Sequence, residues 1–391
     1  MVKIVLKRGE DKRIRAGHPW VFSNEIREIT GEKEPGAAAE IYDAGGAFVG
    51  AGYYNPRTLI AARILARTKV DIDSAGFYRE RIARAIACRQ LLYPGLTAFR
   101  AVYGEGDFLP GLIVDKYGDH LAVQFLTCGM EMRREVITGV LLELFAPKGI
   151  VARNDASVRT LEGLDEKVEI LYGNVPERVE IEEHSLLFRI DLLHGQKTGH
   201  FLDQKENHLL LRERVQGKEI LDCFCYSGSW GIHAAAFGAA RVTCVDISEK
   251  AVALTRENAA LNGFAAVMEC EAVDAFERLR TLKSEGRSFD VVVLDPPAFV
   301  KNKKVLQEAL KGYFTINRRA MELLRPGGYL ITCSCSYHME REMFRELLAN
   351  AAQKAKREMR LVEVRTQAPD HPVLLAVPET EYLKCFVLQA V

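Results

Sequence analysis

Leu294-Asp295-Pro296-Pro297-Ala298-Phe299 and Ile331-Thr332-Cys333-Ser334-Cys335-Ser336 decide how this chain is read. Each follows a short apolar run, Val291-Val292-Val293 in one case and Tyr329-Leu330-Ile331 in the other. Each is therefore expected to end a buried parallel strand. In open α/β sheets, ligands bind outside the carboxyl ends of the strands. The first segment offers such a crevice a carboxylate and a stiff, proline-shaped edge; the second offers it a thiol.

Working outward, the sequence from Lys218 alternates strand and helix. Strands are expected at Glu219–Phe224, Arg241–Asp246, Ala265–Glu271, Asp290–Asp295, Gly328–Cys333, Leu361–Thr366 and Tyr382–Gln389. Helices are expected over Ser248–Asn262, Val305–Leu324 and Glu340–Lys356. This rhythm builds a parallel, doubly wound α/β sheet with right-handed crossovers. The last two strands have no helix between them, so they should pair as an antiparallel hairpin. A seven-stranded sheet of that kind is Rossmann-like without being a plain dinucleotide-binding fold.

Upstream, residues 1–72 read as a small β-barrel, with strands at Val2–Leu6, Phe48–Tyr54 and Leu59–Leu65 and breaks at Gly45-Gly46 and Asn55-Pro56. Residues 73–190 read as a mixed α+β middle domain. It opens with a helix carrying Ile82, Ala85, Ile86 and Leu91 on one side and stopped by Pro94-Gly95. Strands around Gly111–Asp115 and His120–Phe125 and a helix near Met130–Phe145 follow. Residues 191–391 then form the third, catalytic domain.

The length of 391 residues calls for two or three domains, and 48% hydrophobic with 27% charged residues marks an ordinary soluble chain. No run of 18 apolar residues exists to span a membrane, and the first eight residues are too charged for a signal peptide. Nine scattered cysteines fit reduced thiols and a cytoplasmic location. Lys+Arg and Asp+Glu balance at 53 each, so net charge argues neither for nor against nucleic acid. Residues 1–70 alone carry a mild basic excess, 12 against 8.

A cofactor site is expected at the first strand-to-helix turn, Asp222-Cys223-Phe224-Cys225-Tyr226-Ser227-Gly228-Ser229-Trp230-Gly231. Gly228 lets the backbone approach a ligand, and Gly231 permits close packing at the helix start. Tyr226 stands where a G-x-G-x-x-G fingerprint needs its first glycine, which disfavours a pyrophosphate cradle. Asp222 and a turn poor in glycine suit S-adenosylmethionine, which has no phosphate and carries a cationic amino group. Asp246, 24 residues on, is placed for ribose hydroxyls, and Asp274 for the adenine amino group with Phe276 near the ring. The competing role for both aspartates is helix N-capping.

Cys223/Cys225 and Cys333/Cys335 raise the question of a four-cysteine metal site. The strand ending at Asp295 should lie between the two pairs, separating them by roughly 9–10 Å. Zinc–sulfur bonds of about 2.3 Å cannot span that gap, so no metal is expected. Cys333 lies inside an apolar strand and reads as core. Cys335 lies past the strand end between two serines and reads as a nucleophile. A thiol beside a carboxylate suits carbon methylation of a pyrimidine: cytosine C5 is a poor nucleophile until a thiolate adds at C6, helped by hydrogen bonding at N3.

Taken with Gln196-Lys197-Thr198-Gly199-His200-Phe201-Leu202-Asp203-Gln204, these motifs resemble those of the bacterial large-subunit (23S) ribosomal RNA cytosine-C5 methyltransferases. The resemblance covers the whole chain. Ala38 through Tyr54 is similar to part of a PUA domain, an RNA-binding barrel, and Glu105 through Asp115 to the family's middle domain. It implies S-adenosylmethionine as donor, ribosomal RNA as partner and substrate, and Cys335 as the catalytic thiol, with Asp295 beside it. It places Phe201 and Gln204 as candidate cofactor contacts. Two-cysteine RNA methyltransferases carry a second cysteine where this chain has Ala298, so the single-cysteine subtype is the match. The base for the C5 proton stays open among Lys301, Tyr337 and a water. Two other readings compete: an RNA guanine N-methyltransferase, which needs no thiol, and a non-catalytic RNA-binding assembly factor, which needs no carboxylate set.

Overall fold

A computed structural model describes residues 1–299 and 306–391. The chain divides into two compact units. The first comprises Met1–Ile181, Asp191–Leu202 and Pro369–Thr380; the second comprises Glu182–Ile190, Asp203–Ala368 and Glu381–Val391.

The first unit starts with β1 (Val2–Leu6), α1 (Asp11–Arg15), β2 (Trp20–Phe22), β3 (Ile26–Thr30), β4 (Ala38–Tyr42), β5 (Phe48–Tyr54) and β6 (Ile60–Ala66). Alternation in β1 sends Val2, Ile4 and Leu6 inward to meet Val21, Ile41 and Ala62. The strands pair in the order β2-β6-β5-β4-β1-β3. Its two edges, β2 and β3, are successive in the chain and joined by the single turn Ser23–Glu25. The sheet must curl to bring them together, as a small barrel does.

Next come α2 (Ala75–Leu92), β7 (Ala98–Tyr103), β8 (Leu112–Tyr117), β9 (His120–Phe125), α3 (Cys128–Met132), α4 (Arg134–Phe145), β10 (Gly149–Asn154), α5 (Val158–Glu162) and β11 (Lys167–Gly173). The strands form a second sheet in the order β11-β10-β9-β8-β7. The single helix expected near Met130–Phe145 breaks at Arg133. The buried guanidinium of Arg133 donates to the carbonyls of Ile72, Gly129 and Gly36, and the helical path yields to those bonds. Residues 369–380 belong to this unit through hydrogen bonds. Buried Arg89 donates to the Asp370 carbonyl (2.7 Å), and the Arg100 N–H donates to the Asp370 carboxylate (3.0 Å).

β12 (Val179–Glu183) and β13 (Leu186–Ile190) pair as a two-stranded sheet. The second unit continues with α6 (Lys205–His208), β14 (Glu219–Cys223), α7 (Ser229–Ala236), β15 (Arg241–Asp246), α8 (Glu249–Leu261), β16 (Met268–Ala272) and α9 (Ala275–Ser284). It is completed by β17 (Phe289–Leu294), α10 (Leu306–Glu322), β18 (Leu324–Ser334), α11 (Arg341–Ala355), β19 (Met359–Arg365) and β20 (Lys384–Ala390). The seven strands run β16-β15-β14-β17-β18-β20-β19, and β20 is antiparallel to both neighbours. Helices α9, α10 and α11 cover one face, over a core that includes Leu221, Val292, Leu330 and Phe386. Burial on both faces explains the unbroken apolar runs of β17 and β18.

Several strand starts differ from expectation, among them β18, which begins at Leu324 rather than Gly328, and β19, which begins at Met359 rather than Leu361. Left-handed Gly263 (φ +77°) ends α8, and Phe264–Val267 then close a turn, so β16 begins at Met268 rather than Ala265. The N–H groups of Tyr382 and Leu383 both go to the Gln367 side chain, so β20 begins at Lys384.

Under α7 lies a buried cluster. His233 donates through Nδ1 to the Ser229 carbonyl (2.8 Å) and stacks on His208 at 4.7 Å, while His208 bonds Glu183 at 2.7 Å. Burial, helped by His208 and opposed by Glu183, pushes His233 down to about 3. The unfolded chain would protonate this imidazole near pH 6.5, whereas the folded chain resists to about 3. The unfolded state thus binds the extra proton across that window, and stability falls as pH falls through it. Between pH 7 and pH 5 this group should cost about 2 kcal/mol. His233→Gln should flatten the urea-unfolding dependence on pH by that amount; an unchanged dependence would remove His233 as its source.

Candidate active site

β14, β17 and β18 are adjacent and parallel, with Cys223 opposite Leu294 and Leu294 opposite Thr332. Asp295 is therefore level with Cys333 on the neighbouring strand. Cys335 follows two residues on, roughly 7 Å further along and about 4.8 Å across. The strand order reverses between β14 and β17, the topological switch point at which such sheets bind ligands.

Four aspartates reach this end of the sheet. Asp222 is fully buried; its Oδ2 accepts from the Gly231 N–H (3.0 Å), and its Oδ1 has no hydrogen-bond partner among the described residues. Burial pushes this carboxyl well above the usual range, the Gly231 N–H opposes the shift, and Asp295 and Asp246 add to it. Asp246 accepts from the N–H groups of Tyr226 (3.0 Å) and Ser248 (2.9 Å). The cap of α8 is Ser248, not Asp246. Asp274 does cap a helix, taking the Glu277 N–H at 3.0 Å at the start of α9. Asp295 accepts from Gln204 Nε2 on both oxygens (3.0 Å each) and from the Trp230 indole (3.1 Å).

The turn after β14 is built without its usual first glycine because Phe224 and Tyr226 themselves turn left-handed, at φ 67° and 48°. That costs on the order of 1–2 kcal/mol per residue. Thr255 and Asn258 of α8 secure it by donating to the Tyr226 and Ser227 carbonyls (2.8 and 3.1 Å). Gly228, at φ +82°, lies so close to Thr255 that a Cβ would sit 2.6 Å from its methyl. A buried carboxyl oxygen without a donor, amid further carboxylates, fits a cationic ligand. S-adenosylmethionine, with its amino group and sulfonium, is such a ligand. Asp222, the Gly228 turn, Asp246 and Asp274 lie together at this sheet end and could hold it.

The Cys-Ser-Cys-Ser turn is clamped from two sides. Tyr313 of α10, raised to about 12 by burial, meets the hydroxyls of Ser334 (3.1 Å) and Ser336 (2.9 Å). Lys384, opposite Ser334 in the strand register, donates to the carbonyls of Ser336 and Tyr382 at 2.8 Å each. Cys333 is fully buried, which pushes its thiol well above the ordinary range; Cys335 is half-buried. The Lys384 ammonium is 5% exposed and forms no ion pair among the described residues. Burial lowers it to about 8, and Cys335 is the main group acting the other way.

Sequence reasoning missed Lys384, Tyr313 and Trp230. Lys384 had left a signal, a lone cation beginning the apolar run Cys385-Phe386-Val387-Leu388. The amide of Gln204 is engaged at both ends, on Asp295 and on Asn207 (2.7 Å), so it positions Asp295. Phe201 belongs to the first unit, where the Lys197 ammonium lies 4.3 Å from its ring centre. Tyr337 is 55% exposed, and Lys301 lies outside the described residues. The two cysteine pairs lie at the ends of β14 and β18, with β17 between those strands. Among the described residues, one group has metal-ligand spacing: Glu183, His208 and His233, with donor atoms within 4.8 Å of one another. Its Glu183–His208 contact is already a hydrogen bond, and no ion is assigned to it.

The S-adenosylmethionine-dependent methyltransferase family matches residues 155–384, and the PUA-like domain family matches residues 4–67. Ribosomal RNA large subunit methyltransferase I of Shewanella denitrificans is 40% identical over 391 residues, 99% of this chain and 98% of the relative. The protein of that name from Vibrio cholerae is 40% identical over 390 residues, 98% of each. In fold, the chain is similar over the whole of both chains to a SAM-dependent methyltransferase from Streptococcus mutans (TM-score 0.85, 20% identity). It is equally similar to a methyltransferase complexed with SAH (TM-score 0.86, 21% identity, 100% of both chains). Built on the same sheet and matching its relatives from end to end, this chain belongs to the ribosomal RNA large subunit methyltransferase I family of S-adenosylmethionine-dependent methyltransferases.

Proposed function

We propose that this protein methylates C5 of a cytosine in large-subunit ribosomal RNA, with Cys335 as the nucleophile. The observation that carries the reading is the anchored, half-buried Cys335 beside a buried ammonium, at the same sheet end as Asp295. The names of the relatives and the PUA-like domain support an RNA substrate. No helix among the described residues is long and apolar enough to cross a membrane, and the proposed substrate places the protein in the cytoplasm.

The chemistry follows from the residues. Cys335 as thiolate forms a bond to C6, and the C5–C6 π pair moves to C5. Asp295, oriented by Gln204 and Trp230, accepts from the N4 amino group and, when protonated, donates to N3, where negative charge develops as the ring loses aromaticity. Bound S-adenosylmethionine supplies the electrophilic methyl group. The C5 proton then leaves to a base, the C6–S bond breaks and Cys335 is released as thiolate. Lys384 is the counter-ion that favours this thiolate, because a cation beside a thiol lowers its pKa. Cys333, raised by burial, suits packing.

Asp246→Ala should weaken S-adenosylmethionine binding by about 1.5–3 kcal/mol, the worth of hydrogen bonds to a charged acceptor. Unchanged affinity by calorimetry would take Asp246 out of the site.

Cys335→Ala should lose turnover yet bind RNA and cofactor, while Cys333→Ala stays active. RNA carrying 5-fluorocytidine at the target should remain bonded to the wild type, since fluorine cannot leave as a proton does. Attachment through Cys333 would exchange the two roles; full activity in the double variant would favour guanine-N methylation.

Lys384→Met should raise the pH at which Cys335 reacts with iodoacetamide, followed peptide by peptide, by about one unit or more. Lys384→Arg should restore the profile. Equal profiles in all three proteins would show that the ammonium does not act on the thiol.

A further inference from the structure

One side of α2 faces a cavity of about 480 Å³ within the first unit. Phe77, Arg81, Arg84 and Cys88 recur at steps of four, three and four residues and so share that side. Arg67 enters from the end of β6, and Phe108 from the turn after β7. Four arginines and two carboxylates line the wall, an excess of positive charge in a chain that is neutral overall. Asp107 is gripped by Arg89 through both oxygens, at 2.5 and 2.6 Å. Glu80, next to Arg81 in sequence, is the second carboxylate.

Arg67, Arg81 and Arg84 form no ion pair among the described residues. Arg67 donates to the His18 carbonyl (3.1 Å) and Arg81 to the Phe108 carbonyl (3.3 Å), which steadies each fork while leaving most of its five N–H groups for a ligand. Arg81 lies 4.7 Å over the Phe77 ring, and its partial burial pushes the guanidinium below its ordinary value. Such a poorly hydrated cation binds an anion at little desolvation cost. Phe108 holds its ring 47% exposed from a left-handed backbone (φ 59°) that bulky residues avoid.

We propose that this cavity takes one nucleotide of single-stranded RNA, its phosphate on Arg67 and Arg84 and its base against Phe108. Guanidinium forks match phosphate geometry, and aromatic faces hold bases that have left a stack. The cavity's volume is that of a small-ligand site, suited to one nucleotide and too narrow for a duplex. The proposal rests on the reading that the protein acts on RNA, and it adds a gripping point away from the methyl-transfer chemistry.

The test is fluorescence anisotropy of the full chain with a labelled single-stranded RNA at several salt concentrations. The double variant Arg67→Ala/Arg84→Ala should bind about tenfold more weakly at low salt, with the log–log salt slope reduced by roughly 0.7, the worth of the one phosphate contact it loses on a single strand. Phe108→Ala should weaken binding without changing the slope. Arg79→Ala, on the same helix but paired with Glu143 outside the cavity, is the control for losing an arginine from this helix and should bind as the wild type does. Calorimetric affinity for S-adenosylmethionine should be equal in all four proteins, which also reports folding. Wild-type affinity and slope in the double variant would remove the cavity from RNA binding and leave the RNA reading standing. Failure of the wild type to bind any RNA would overturn that reading itself. Displacement of the labelled RNA by equimolar cytidine monophosphate would assign the cavity to free nucleotides and overturn the proposal.

Discussion

The carboxyl group of Asp222 is buried where β14 parts from β15 and β17, and Asp246 and Asp295 each add negative potential to it. Like charges collected at one end of a sheet repel, and much of the second unit's local structure offsets that repulsion. The Gly231 N–H is turned onto Asp222, the N–H groups of Tyr226 and Ser248 onto Asp246, and the Gln204 amide and Trp230 indole onto Asp295. These donors come from backbone and neutral side chains, which leave the local charge negative. A cation is the ligand that suits such an arrangement. The left-handed Phe224 and Tyr226 are part of the same solution, since the N–H of Tyr226 reaches Asp246 from that conformation.

The neighbouring strand end obeys a different rule. Its serines act as handles for Tyr313, and Lys384 grips the backbone beyond them. The two cysteines, two residues apart, thus meet opposite environments. One is sealed in the core, and the other is held on a short tether at the surface of the crevice. A buried ammonium bound only to carbonyls keeps a charge available to its surroundings.

The alternation of apolar runs with helices made the central strands of the seven-stranded sheet legible, because burial on both faces leaves a continuous signature. The missing helix between the last two strands announced the antiparallel pairing of β19 with β20. The aspartates and the thiol pair were legible because they fall at strand ends. What stayed hidden depends on contacts between distant residues. Nothing near Asp295 in sequence announces Gln204 or Trp230, 91 and 65 residues away. The position of Lys384 opposite Ser334 exists only once β20 inserts beside β18. β11 escaped for another reason: its apolar Val168, Ile170 and Tyr172 remain 41–49% exposed, so backbone pairing to β10 defines the strand where core burial does not. The break at Arg133 was invisible because an arginine in a helical pattern reads as solvated, whereas this one is buried among carbonyls.

Residues 369–380 lie beyond most of the second unit in sequence yet belong to the first. Arg89 and Arg100 therefore wait through 281 and 270 further residues of synthesis before Asp370 exists to receive them. On the ribosome the two units cannot mature one after the other like beads on a string. The early unit must stay incomplete, its Arg89 guanidinium and Arg100 N–H partly hydrated, while the later sheet is being laid down. Loop closure over such a span adds little entropic penalty but makes the contact slow to find. Maturation of the pair is thus a single linked event, and a nascent chain halted before Asp370 would present chaperones with a first unit lacking its last segment.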